Sequence, residues 1–176
     1  MAKFIYELNQ SLDGYVDHDK FMPAPDVFRY FVEQTRAVTG MFYGRRMYEI
    51  MRYWDEDSAD WNDDEKEYAV AWRAAPKWVI SRSLNEVGPN ATLVADNVEA
   101  SVRKLKAEME GEFEVAGPEL AQSFTDLGLI DEYRLDIHPV VLGGGKPFFV
   151  KQRAPLRLIA SDIIGEGVIR LTYVPG

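Results

Sequence analysis

Apolar and polar positions change period several times along the chain, and each change marks a boundary between elements. Lys3 to Leu8 is a short β-rich run, while Asn9 to Pro25 carries Gly14, Pro23 and Pro25 with little periodicity, so a strand and then a long loop are expected. From Asp26 the apolar residues Val27, Phe28, Tyr30, Phe31 and Val38 recur near helical spacing, with Pro25 placed to open the helix. Met41-Phe42-Tyr43 reads as a buried strand that stops at Gly44, and Arg45 to Tyr53 as a helix. Asp63 to Ala75 is expected to be helical, since acids at its start complement the helix dipole and Pro76 follows its end. Lys77 to Ser81 and Ala91 to Ala95 are strands, and Asn97 to Glu110 is a helix capped by Asn97. Phe113 to Ala116 is a strand that breaks at Gly117-Pro118 into a helix reaching Leu127. Asp131 to Val141 alternates as a strand and closes at Gly143-Gly144-Gly145; Leu156 to Ile164 and Val168 to Val174, joined at Gly165-Glu166-Gly167, form a terminal hairpin.

Strands that alternate with helices and then pair without them describe an α/β fold with a mixed, mostly parallel sheet of about eight strands and an antiparallel C-terminal edge. With 176 residues, 47% of them hydrophobic, and no linker between periodic halves, residues 1–176 are expected to form a single domain. The apolar runs are far shorter than the roughly 20 residues of a membrane-spanning helix. The N-terminal segment lacks the features of a signal peptide, so a cytoplasmic address is expected. There is no cysteine and there are only two isolated histidines, His18 and His138, so no metal site is expected. The net charge of -9 is concentrated between Asp55 and Glu67, where eight acids face Lys66 alone. That segment reads as a solvated face, and the overall balance argues against a nucleic-acid partner.

Candidate chemistry sits where strands end. Gly44-Arg45-Arg46, Ser81-Arg82-Ser83 and Gly117-Pro118-Glu119 each follow a hydrophobic strand and offer backbone amides, hydroxyls or guanidinium groups at a turn. In open α/β sheets ligands lie beyond the carboxyl ends of the strands. Free amides at a helix start and bidentate arginines both suit phosphate oxygens. Singly, each corner serves equally well as a turn, a surface charge or a helix entry, and neither G-x-G-x-x-G nor a P-loop is present.

In order, the chain carries Ser11-Leu12-Asp13-Gly14-Tyr15, Tyr43-Gly44-Arg45-Arg46-Met47-Tyr48-Glu49, Lys77-Trp78-Val79-Ile80-Ser81-Arg82, and Val115-Ala116-Gly117-Pro118-Glu119-Leu120-Ala121-Gln122-Ser123-Phe124. Gly128-Leu129-Ile130-Asp131-Glu132-Tyr133 then runs into Pro139-Val140-Val141-Leu142-Gly143-Gly144-Gly145-Lys146-Pro147-Phe148-Phe149. This series resembles the reductase domain of bacterial riboflavin biosynthesis and its stand-alone relatives, over nearly the whole chain, and through them dihydrofolate reductase. The resemblance implies a three-layer α/β/α dihydrofolate reductase-like fold and NADPH as cofactor. It implies that Gly44, Arg45 and Arg46 lie beneath the cofactor phosphates, that Ser81 and Arg82 grip the adenosine 2'-phosphate, and that Ala116, Gly117, Pro118, Glu119 and Leu120 receive the diphosphate. Leu12, Asp13 and Gly14 would lie beside the nicotinamide. Ala116 departs from the family, which has a second glycine there; in dihydrofolate reductase that pair forms a cis peptide.

The reaction implied is NADPH-dependent hydride transfer to a small heterocyclic or sugar-linked substrate, of the type that reduces 5-amino-6-(5-phosphoribosylamino)uracil. A dihydrofolate or pteridine reductase, and a non-catalytic nucleotide-binding module of the same fold, stay open beside it. Asp26, which opens the first helix, and Asp13 are the candidate proton donors, although a helix-start acid and a turn former account for them equally well. Tyr15, Tyr48, Trp54 and Phe149 offer stacking surfaces or packing, and Lys146 a cation beside the glycines. Leu156, Leu158, Ile159, Ile163, Ile164, Val168, Ile169 and Leu171 put apolar residues on both faces of the hairpin, so those strands are expected to be buried on two sides and the chain to be a homodimer.

Overall fold

A computed structural model of the chain describes residues 1–151 and 154–176. One eight-stranded sheet organises it, in the order β4-β3-β2-β5-β1-β6-β8-β7. The strands are β1 (Lys3–Ser11), β2 (Gly40–Gly44), β3 (Lys77–Ile80), β4 (Ala91–Val94), β5 (Glu112–Ala116), β6 (Glu132–His138), β7 (Leu156–Gly165) and β8 (Val168–Pro175). All neighbours from β4 to β6 are parallel; β8 is antiparallel to both β6 and β7. The helices are α1 (Pro25–Ala37), α2 (Arg45–Met51), α3 (Asp63–Ala74), α4 (Val98–Glu108) and α5 (Pro118–Asp126), with a 3-10 turn over Arg52–Trp54.

Two clusters of buried side chains show how the layers are made. Phe4, Tyr6, Phe42, Phe113 and Val115 point to one face, where they meet Val102 of α4 and Phe124 of α5. Their neighbours Met41, Tyr43 and Val79 point to the other, where they meet Tyr48 of α2 and Trp72 of α3. Alternation along each strand thus feeds two cores, one on either side of the sheet.

Several boundaries differ from expectation for physical reasons. The polar run Asn9-Gln10-Ser11, expected in a loop, is the last third of β1, because β6 pairs with it in register as far as Ser11–His138. β6 stops at His138 because Pro139 has no amide to continue the ladder. Asn97 stands at the start of α4, but its backbone is left-handed (φ 49°) and its side chain makes no capping bond. The capping box appears instead on α3, where Asn62 and Glu65 bond each other's amides. The hairpin is not buried on two sides: Leu158, Ile159, Ile163 and Ile169 are exposed, Ile163 to 82%, because β7 is the sheet's last strand. Among the described residues no peptide bond is cis, so Ala116-Gly117 is trans.

Candidate cofactor and substrate site

The three phosphate corners meet. β3, β2 and β5 are adjacent, with Gly44 opposite Ile80 and Tyr43 opposite Ala116, so their carboxyl ends stand side by side. Arg45 ties two corners together, its Nη1 donating to Ser83 Oγ at 3.0 Å while its Nε donates to Glu49 at 2.8 Å. The Gly44 and Gly117 corners are also in contact. A Cβ on Gly44 would lie 4.0 Å from Leu120 Cβ, and one on Gly117 3.7 Å from Met47 Cβ.

Within this cradle Ser81 orders the loop that carries Arg82, its Oγ accepting from the amides of Ser83 and Leu84 at 3.2 Å. Arg46 and Arg82 are exposed, and neither has a partner among the described residues. Gly117 adopts φ 98°, ψ 139°, a conformation open in practice only to glycine, and this aims the first turn of α5 along the sheet edge. There the amides of Glu119 and Leu120 have no helical acceptor. Amides, two free guanidinium groups and close backbone approach fit a phosphorylated dinucleotide, with Glu119 an exposed acid beside the amides and Glu49 paired to Arg45.

β1 and β5 pair only from Lys3–Glu112 to Ile5–Glu114, although β5 runs on to Ala116 and β1 to Ser11. Beyond Ile5 the sheet is therefore split. One lip carries Ala116 and Gly117. The other carries Glu7 and Asn9, whose side chains lie on the α1 side. Leu12, Asp13 and Gly14 continue from the β1 lip, with Leu12 exposed.

Asp13 and Asp26, expected as proton donors, lie apart, and both are engaged by backbone amides. Asp13 accepts from Ser11 Oγ at 2.6 Å and from the amides of Leu142 and Gly143 at 3.1 and 2.7 Å. The Ser11 hydroxyl, then those amides, hold its carboxyl below the usual range. Asp17 makes a second such contact with the Lys146 amide at 2.7 Å, so two acids fasten the segment after β1 to the glycine loop. Asp26 accepts from the amides of Glu166 and Val27, both at 2.9 Å, and these two bonds lower its pKa as well. It caps the β7–β8 turn rather than facing the split. Of the stacking candidates, Tyr48 is buried and accepts from the Gly88 amide, Trp54 packs on Trp61 and Tyr68, and Phe149 packs on Phe148 and Tyr133. Tyr15 bridges to Pro147 and is half-buried.

Sequence reasoning missed a polar set under α1. Glu132, Arg134, Asp136 and His138 alternate along β6 and face this layer with Glu7 and Asn9 of β1 and Glu114 of β5. Asp136 is fully buried, and neither carboxyl oxygen has a hydrogen-bond partner among the described residues. Arg170, opposite it on β8, has a buried Nε that is likewise unpartnered. The rest of that guanidinium reaches the Tyr30 hydroxyl and Asp162, and Tyr30 donates to Glu7 at 3.1 Å. His138 Nε2 donates to Asn9 Oδ1 at 2.5 Å beneath the Phe21 ring, and burial lowers its pKa. Burial also pushes Glu114 up to about 8, with Glu7 adding to the effect and Arg134 opposing it. The signal was present in the sequence: a strand covered on both faces reads as a continuous apolar run, and β6 does not.

Comparison with known proteins agrees with this geometry. A family model, the RibD C-terminal domain, matches residues 2–169. The uncharacterized protein YyaP of Bacillus subtilis (strain 168) is 34% identical over 179 residues, covering 97% of this chain and 94% of that protein. Among solved structures, a putative riboflavin biosynthesis protein from Shewanella sp. PV-4 is 26% identical with a TM-score of 0.74, over 99% of this chain and 98% of that one. The Thermotoga maritima diaminohydroxyphosphoribosylaminopyrimidine deaminase/5-amino-6-(5-phosphoribosylamino)uracil reductase has a TM-score of 0.68 at 14% identity, matched over 99% of this chain but 57% of that one. Enterococcus faecalis dihydrofolate reductase, complexed with NADP(H), has a TM-score of 0.63 at 12% identity, over 98% of this chain and 95% of that one.

Proposed function

Because the chain belongs to the RibD C-terminal domain family, we propose that it is an NADPH-dependent reductase of the riboflavin-pathway type, transferring a hydride to a small heterocyclic or sugar-linked substrate. The observation that carries this reading is the meeting of the Gly44, Ser81 and Gly117 corners at adjacent strand ends, with Arg46 and Arg82 free to bind anions. Gly44, Arg45 and Arg46 would lie under the phosphates, Ser81 and Arg82 at the 2'-phosphate, Ala116 to Leu120 at the diphosphate, and Leu12 and Gly14 beside the nicotinamide. When bound, NADPH supplies a two-electron hydride. The chain's part is to hold donor and acceptor carbon together in the split between β1 and β5, to exclude water, and to provide a proton.

The test is a binding and turnover experiment. NADPH is expected to bind more tightly than NADH, and Arg82→Ser to erase most of that difference, since a bidentate contact to the 2'-phosphate is lost. Turnover is followed as loss of nicotinamide absorbance with 5-amino-6-(5-phosphoribosylamino)uracil and with dihydrofolate. Binding without turnover of either would favour a non-catalytic module, and no binding would end the proposal. The exposed Leu158, Ile159, Ile163 and Ile169 on the edge hairpin support a homodimer. A monomer alone in sedimentation at micromolar concentration would exclude it.

A further inference from the structure

Hydride transfer needs a proton for the substrate atom next to the carbon that is reduced, and both acids expected to provide it are fastened to backbone amides. The sheet offers another. Following the register, Gly117 stands level with Leu8 and Asp136 with Asn9. Asp136 therefore lies on the second strand from the Gly117 corner, at least about 10 Å away because β1 and β5 have parted there, and within about one residue of its height. A small ring bound in the split, on the α1 side, would span that gap.

We propose that Asp136 is the proton donor of the reduction, its carboxyl O–H pointing into the substrate space between α1 and the β1–β6 floor. Its environment suits the task. Of the other acids near the split, Glu7 is engaged by Tyr30 and Arg134, Asp13 by Ser11, Leu142 and Gly143, and Asp26 by Val27 and Glu166, while Glu114 on β5 is half-buried and is the competing carboxyl. Among the described residues Asp136 is the acid whose two oxygens are both fully buried and unpartnered. The groups facing it are Glu7 and Asn9 from β1, Glu114 from β5, Arg134 and His138 from β6, Arg170 from β8 and Tyr30 from α1. Burial holds the Asp136 carboxyl well above its ordinary range and Glu7 adds to this, against the opposing pull of Arg170 and Arg134. Its surroundings thus favour the protonated acid, whereas the hydrogen bonds to Asp13 and Asp26 favour their ionised forms.

The step balances. The substrate carbon accepts a hydride from the reduced nicotinamide, the π bond to its nitrogen or oxygen opens, and that heteroatom takes the Asp136 proton. The substrate gains two electrons and two hydrogens, and Asp136 is left as a carboxylate. Arg170 Nε, buried and unpartnered opposite it, is placed to stabilise that anion until water restores the proton. Asp136 is fully buried, so on this reading substrate contact requires the side chains over it to move aside.

This inference rests on the reductase reading, and the experiment separates the two. Protein labelled with 13C at aspartate side-chain carboxyls is titrated by NMR, a label to which Glu114 is silent. One aspartate resonance is expected to keep its protonated position at pH 7 and to be absent in Asp136→Asn, with NADPH affinity unchanged. With whichever substrate the wild type reduces, Asp136→Asn is expected to lower kcat by about 100-fold or more and to abolish its fall at alkaline pH. If every aspartate titrates in the ordinary carboxylate range, or if Asp136→Asn turns over within about threefold of wild type, Asp136 is not the donor. The labelled wild type decides the first point even if the variant does not fold. A wild type that binds NADPH and reduces nothing removes the reductase reading itself, and this inference with it.

Discussion

Gly117→Ala is the sharpest probe of the corner on which the proposed cofactor binding depends. The substitution adds one methyl group, and the structure separates its two possible costs. Space is adequate: the new Cβ would meet Met47 Cβ at 3.7 Å and Cγ at 3.9 Å, ordinary van der Waals separations. The backbone is the obstacle, because φ 98° with ψ 139° is a conformation that L residues avoid. Holding alanine there costs about 1–3 kcal/mol. For a chain of this size each kcal/mol moves Tm by about 2–4 °C, so a loss of about 2–12 °C is expected in a thermal melt. Gly44→Ala is the control. Gly44 has an extended backbone, φ -77° and ψ 164°, and a Cβ there would touch only Leu120, at 4.0 Å, so its Tm should stay within a degree or two of wild type, about 0.5 kcal/mol. A ligand at about 100 times its Kd stabilises by about 2.7 kcal/mol, so NADPH should raise the wild-type Tm by several degrees and the Gly117→Ala Tm by much less. A Gly117→Ala melt that coincides with the Gly44→Ala melt would refute the backbone argument. An undiminished NADPH shift in Gly117→Ala would refute the role of that turn in binding.

Three further outcomes follow from the same coordinates. Gly40→Ala should destabilise by about 1–3 kcal/mol through overpacking, since its Cβ would lie 2.5 Å from Trp78 Cζ3 and 3.1 Å from the Pro76 carbonyl oxygen; a chemical denaturation midpoint equal to wild type would count against it. Asp13 has a depressed pKa in the folded chain, so its contribution is complete above the unfolded value of about 3.9 and is lost as pH falls towards the folded one. The Leu142 and Gly143 amides should accordingly stay protected from hydrogen exchange at pH 5, and Asp13→Asn should expose them at that pH; equal protection in the two proteins would show the contact to be idle. Glu119→Gln removes an acid from the turn that faces the diphosphate corner and should tighten NADPH by about two- to fivefold at low salt, measured by fluorescence titration.

The fold was legible because its signals are local. Periodicity changes at Gly44, Pro76 and Gly117 coincide with real element ends, and strands that follow one another without helices gave the antiparallel edge. What escaped was set by pairing partners distant in sequence. Asn9, Gln10 and Ser11 carry no strand propensity and are strand only because β6 lies beside them. The exposure of Ile163 follows from β7 being the edge, which the strand order decides and local pattern does not. The candidate cofactor corners were readable, since turns that present amides leave glycines and arginines behind. The polar set under α1 was not, because Asp136 is recognised by what fails to touch it. Asp13 and Asp26 drew attention by position; only coordinates show that amides hold both as anions.

On the proposed function, a chain with a net charge of -9 would have to attract a dinucleotide that is itself a polyanion. The acidic stretch explains how this is reconciled. Asp55 pairs with Arg52, Asp57 with Arg73, Asp63 with Lys66, Asp64 with Arg29 and Glu67 with Arg36, while Glu65 completes the α3 capping box. Five of the eight acids in that stretch are therefore matched by a neighbouring cation, and at physiological salt the field of the net charge decays over about 8 Å. At the strand ends the balance is reversed. Arg45 is matched by Glu49, but Arg46, Arg82 and the α5 amides have no internal anion near enough to satisfy them. Affinity for phosphate is set by such local vacancies rather than by net charge, so raising ionic strength should weaken NADPH with a slope governed by Arg46 and Arg82. Neutralising acids between Asp55 and Glu67 should leave that slope unchanged while loosening the segment that α3 and Arg73 hold in place.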